Sequence, residues 1–118
     1  MTDRELLELA AKAARIGGSY CKNSGDFFAN SEGCRTGYRW DPLTDDGDAF
    51  RLMVKLGIEV KRVSLSRSVG NVVQAWYNQD GKVKGSACAS ISCTVSGCRY
   101  SATRRAIVLA AAEIGKKL

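Results

Sequence analysis

The chain has 118 residues, a net charge of +6, 45% hydrophobic and 25% charged residues, one proline and no histidine. That length and balance describe one globular domain with a core of its own, and the single proline and few long polar tracts argue against disorder. The absence of histidine removes the commonest general base, the usual nucleophile triads and the zinc sites that mix His with Cys.

No window approaches the roughly 18 apolar residues that a membrane span needs. The opening "MTDRELLEL" is too charged for a secretory leader, so a cytoplasmic location is expected. Charge is uneven: residues 1–57 carry 8 basic and 9 acidic side chains, residues 58–118 carry 10 and 3. A basic second half suits an anionic partner, or simply solubility.

Thr2-Asp3-Arg4-Glu5 has the spacing of a capping box. Leu6, Leu9, Ala10, Ala13 and Ala14 recur at helical spacing behind it, which predicts a helix over 3–16 stopped by Gly17-Gly18. Residues 17–40 are punctuated by Gly, Ser and Asn, with short strands expected around Tyr20 and Tyr38–Trp40 and a loop between them.

"WDPLTDDGDAFRL" then sets four aspartates ahead of an apolar run. Pro42 suits a position just before a helix or in its first turn, Asp45 or Asp46 is a good N-cap, and carboxylates there complement the helix dipole. Ala49, Leu52, Met53 and Leu56 give the buried stripe and Gly57 the stop. A calcium loop wants a glutamate at its twelfth position. Counted from Asp45 that position is Leu56, and from Asp41 it is Leu52, so the spacing argues for architecture and against a metal.

"IEVKRVSL" alternates as a strand after Gly57. "VVQAWYN" and "KVKGSACASISCTV" flank Asp80-Gly81, a strong hairpin signal. The second arm is built of small side chains, which lets alanine-rich helices approach it closely. The last helix is expected over "SATRRAIVLAAAEIGKKL", capped by Ser101 or Thr103, with Ile107, Ala110, Ala111 and Ile114 as its stripe. The expected order is helix, two strands, helix, three strands, helix. That makes an α+β domain, a mainly antiparallel sheet of about four to five strands covered on both faces by three helices.

The five cysteines (21, 34, 88, 93 and 98) have neither zinc-ribbon spacing nor a disulfide pattern. They read as small buried hydrophobes, with Cys98 the one candidate for a reactive thiol, beside Arg99 and Arg104. The stretch with most chemistry is "CRYSATRRA". Arginines in a first helical turn oppose the dipole at a cost of roughly a few tenths of a kcal/mol each, unless an anion sits there. Arg99, Tyr100, Ser101, Thr103, Arg104 and Arg105 are therefore the candidate anion site, with Tyr100 placed to stack a base. Arg35, Arg39, Trp40 and Trp76 could add to it from neighbouring segments. The competing reading sends the arginines to Asp45–Asp48 or to solvent.

"TDRELLELAAKAARI", "WDPLTDDGDAFRLMVKLGIEV" and "SATRRAIVLAAAEIGKKL" together resemble the phage ABA-sandwich domain family, small proteins of phages and prophages. The resemblance implies an α/β/α sandwich and supplies no activity or ligand residues. Where family members have a shorter, less cysteine-rich region, this chain has "GSACASISCTVSGCRY".

The function expected is a non-enzymatic binding module acting for a phage in the host cytoplasm. It would sequester an anionic, nucleotide-type ligand such as an immune signal, without a metal or other cofactor; a homo-oligomer with a shared pocket is a natural form for so small a domain. The alternatives are a nucleic-acid-binding regulator and a protein–protein inhibitor or structural accessory. The last would present Trp40, Trp76 and Tyr77 to a host protein; as core aromatics they would stay buried.

Overall fold

Thr2 begins the first helix, α1 (Asp3–Ala13), as its spacing predicts. Its Oγ1 accepts from the Glu5 N–H at 3.2 Å while the Glu5 carboxylate accepts from the Thr2 N–H at 3.2 Å. The computed structural model describes residues 2–22, 25–29, 38–64, 71–79, 82–91 and 97–118. The end of α1 differs from expectation. It closes before Gly17-Gly18, on a Schellman turn: the Ile16 N–H reaches the Ala11 carbonyl (2.9 Å) and the Arg15 N–H reaches that of Lys12 (3.2 Å). Arg15 occupies the left-handed position, φ 57°, where glycine is the usual residue.

Three short strands follow, β1 (Gly18–Cys21), β2 (Asp26–Ala29) and β3 (Tyr38–Arg39), forming one antiparallel sheet in that order. β2 falls where the sequence reading left a loop, because "DFFA" is too short to show a period of two. Its alternation is visible in three dimensions: Phe27 and Ala29 are buried. Phe27 meets the buried Trp40 ring edge-on, centroids 5.6 Å apart.

The second helix, α2 (Asp46–Leu56), starts and stops where its signals lie. Asp45 is the N-cap and Gly57, at φ 65°, closes it. Behind it, β4 (Ile58–Ser64), β5 (Asn71–Gln79) and β6 (Lys82–Ile91) make a second antiparallel sheet in sequential order, with a register shift at Tyr77/Asn78. The pairing of Gln79 with Lys82 leaves two residues to join β5 to β6; these, Asp80-Gly81, lie outside the described residues.

The last helix, α3 (Gly97–Lys116), begins four positions before Ser101. It touches α1, α2 and all three strands of the second sheet. Ala102, Ala106, Val108, Ala110, Ala111 and Ala112 are buried around its circumference, so α3 is the shared wall of the core. One hydrophobic cluster joins residues of α1, β2, α2, β4, β5 and α3. The close approach of helices expected on the slim strand rests on side chains outside the described residues; between α1 and α3 the backbones do come close, and a Cβ on Gly115 would collide with the Leu9 carbonyl oxygen.

The molecule is thus mixed α and β, with three helices and antiparallel strands. In place of one sheet of four to five strands there are two sheets. Periodicity identifies strands but not their partners, and the tight turn after Cys21, closed by the Gly25 N–H on the Cys21 carbonyl (2.9 Å), pairs β1 with β2 locally.

Candidate functional site

The aspartates of residues 41–48 divide the work of starting α2. Asp45 Oδ2 accepts from the Asp48 N–H at 2.7 Å. Asp48 is buried, and its carboxylate accepts from the Asp41 N–H (3.0 Å) and from Arg51 (2.8 Å), tying the incoming loop to the first turn. Asp41 folds its own loop, accepting from the Leu43 N–H (3.2 Å) and the Thr44 hydroxyl (2.7 Å). Asp46 faces the other way, towards α3. The expected helix-start role is present at Asp41, Asp45 and Asp48. Among the described residues no cluster of three acidic or thiol side chains is placed to hold a metal ion.

Beside these carboxylates lies a polar cleft of about 320 Å³ that contains Tyr38, Arg39 and Arg51. Arg39 spans Asp26 (3.0 Å) and Asp41 (3.3 Å). The hydrogen bond to Asp48 raises the Arg51 guanidinium pKa above its already high ordinary value; desolvation opposes this, and the fields of Asp48, Asp45 and Tyr38 add to it. Three carboxylates against two guanidiniums make this cleft a poor anion receptor.

The second cavity, about 420 Å³, opens between α2 and α3. Ala49, Phe50 and Met53 form one wall, Tyr100 and Ile107 the other, and Asp46, Thr103 and Arg104 supply its polar groups. Phe50 is 60% exposed and Tyr100 64%, so two aromatic rings stand at a groove with few polar functions. That composition is the usual one for a small-molecule site.

Of the residues nominated by sequence, Tyr100, Thr103 and Arg104 line this groove. Ser101 is exposed and Arg105 turns to α1, where it meets Asp3 at 3.2 Å. The Arg99 side chain lies outside the described residues, as do Cys34, Arg35, Cys93 and the side chains of Cys88 and Cys98. Cys21 is half-buried in β1.

Two premises of the anion site need correction. Because α3 starts at Gly97, Ser101 and Thr103 are not caps and Arg104 and Arg105 are past the first turn, so neither free amides nor an opposing dipole calls for an anion at those four residues; of the nominated arginines only Arg99 falls in the first turn. Arg104 is also engaged: Nε donates to the Leu43 carbonyl at 2.9 Å and Nη1 to Asp46 Oδ1 at 2.6 Å. The sequence alternative, arginine to the acidic stretch, is realised at this residue.

Of the two readings of Trp40, Trp76 and Tyr77, the core-aromatic one is found for Trp40 and Tyr77. Trp40 and Tyr77 are buried, and half-buried Trp76 donates to Glu59 at 2.6 Å. Phe50 and Met53 were missed as site residues. The available signal was that Phe50 and Val54 are large apolar residues off the Ala49/Leu52/Met53/Leu56 stripe.

No protein-family model, curated protein or solved structure matches the chain. No helix among the described residues is long and apolar enough to cross a membrane.

Proposed function

We propose that this is a non-enzymatic binding module of phage or prophage origin, acting in the host cytoplasm, whose α2–α3 groove takes a planar, nucleotide-type ligand. The carrying observation is that Tyr100 and Phe50 stand exposed at one groove together with Arg104 and Thr103. An aromatic wall suits the face of a base, and a guanidinium beside it suits an anionic group. The basic second half of the chain favours such a ligand at longer range. Sequestration of a nucleotide signal, as a counter to host defence, is the role this reading assigns. The α/β/α layering implied by the family resemblance belongs to the same proposal, supported by α3 touching all three strands of the second sheet.

Mass spectrometry of small molecules released from the purified protein, with calorimetry against cyclic and ADP-ribose-type nucleotides, tests it. Binding is expected, and is expected to weaken at least tenfold on Tyr100→Ala with Phe50→Ala, about the value of one or two base–aromatic stacks. Uniform absence of binding, or binding indifferent to both rings, would overturn the reading.

A second reading has its own support. Val54 is 62% exposed one turn beyond Phe50, which carries the apolar surface out of the groove along α2. That shape suits an inhibitor or accessory protein that docks a host protein. Pull-down from host lysate with wild-type protein and with Val54→Asp decides it: a partner lost in the variant supports this reading, and none captured removes it.

A further inference from the structure

We propose that the Asp46 carboxylate is an internal stand-in for the ligand's anionic group, occupying Arg104 until a phosphate displaces it. This rests on the groove reading above and adds what the ligand's anionic group must displace.

The two contacts of Arg104 are unequal. Nε is held by a backbone carbonyl, Leu43 O at 2.9 Å, within the Asp41–Thr44 turn that Asp41 and Asp48 fix from beneath. Nη1 is held by a side chain that is 71% exposed, whereas the Arg104 side chain is only 18% exposed. The carbonyl therefore aims the guanidinium, and the mobile partner on its outer edge is the carboxylate. Asp46 carries no capping duty, because Asp45 is the N-cap and Asp48 pins the loop. It can swing into water and leave α2 intact.

An ion pair to so exposed a partner is weak. A phosphate brings more charge and three acceptor oxygens to the planar donor fork, so it competes for the same edge while a base lies against Tyr100 and Phe50. The ligand class is a phosphate-bearing planar compound. The Asp46–Arg104 pair lowers the apparent affinity of every anion by the value of that exposed pair, which a phosphate with several acceptor oxygens offsets best.

The test follows the backbone amides of residues 100–107, and the Arg104 Nε–H signal where the arginine is kept, by NMR during titration with inorganic phosphate, adenosine 5′-monophosphate and adenosine, in wild-type protein, Asp46→Asn, Asp46→Ala and the double variant Asp46→Ala with Arg104→Lys. Removing the competitor is expected to tighten phosphate and the monophosphate about two- to fivefold, the value of an exposed ion pair. Adenosine should gain less than phosphate in both Asp46 variants, and adding Arg104→Lys to Asp46→Ala should abolish the phosphate gain. Equal or weaker phosphate binding in both Asp46 variants, or no movement of the Nε signal in any protein, overturns the proposal. If adenosine still binds in a Tyr100-dependent manner under that result, the groove reading survives and only the displacement fails. If phosphate shows the gain while adenosine does not bind at all, the displacement stands and the planar-ligand reading falls.

Discussion

The Arg104 guanidinium and the Leu43 carbonyl meet at 2.9 Å across a separation of 61 residues, which fastens the turn before α2 to α3. Arg104→Ala should therefore cost about 1–3 kcal/mol, because a part-buried carbonyl loses a charged donor. Arg105→Ala, which loses only an exposed pair with Asp3, should stay within about 0.5 kcal/mol. Urea denaturation of the two variants checks the difference, and equal losses would contradict it.

The acidic stretch yields a graded series. Asp48→Ala leaves the part-buried Asp41 N–H without its acceptor and Arg51 with only its longer contact to Asp45, and should cost about 1–3 kcal/mol. Asp45→Ala removes the cap and should cost about 0.5–2 kcal/mol. Asp46→Ala should lie within about 0.5 kcal/mol of wild type, since its ion pair is exposed. Thermal melts in the presence and absence of calcium complete the comparison; a large calcium-dependent rise would contradict the architectural assignment.

Arg15 sits at φ 57° to end α1. A side chain in that region costs roughly 1–2 kcal/mol, and glycine's extra chain entropy returns part of it. Arg15→Gly is accordingly expected to raise the melting temperature, with a net gain of about 0.5–1 kcal/mol. A fall would show that Arg15 makes a contact worth more than the strain.

Gly115 has no room for a methyl group against the Leu9 backbone. Gly115→Ala forces α1 and α3 apart and should cost about 1–3 kcal/mol despite alanine's better helix propensity. Denaturant unfolding gives the sign directly.

Legibility in the sequence followed the range of the interactions. The starts of α1 and α2 were readable because Thr2–Glu5 and Asp45–Asp48 close within one turn of chain. The start of α3 was not, since Ser101 and Thr103 look like caps although the helix is already under way at Gly97. β2 was hidden by its length, and the division into two sheets by the fact that pairing is a property of two segments. In the groove, Tyr100, Thr103 and Arg104 were nominated from one short stretch. Phe50 and Met53 join them only because α2 packs on α3, and that packing also diverted Arg104 to Asp46.

The most direct measurement is a two-dimensional NMR titration with a panel of nucleoside monophosphates, mapped on to residues 46–54 and 100–107. Shifts concentrated on Phe50, Met53, Tyr100 and Arg104, saturating with one ligand per site, are what the groove predicts. No response at millimolar ligand, or shifts gathered instead around Tyr38, Arg39 and Arg51, would contradict it.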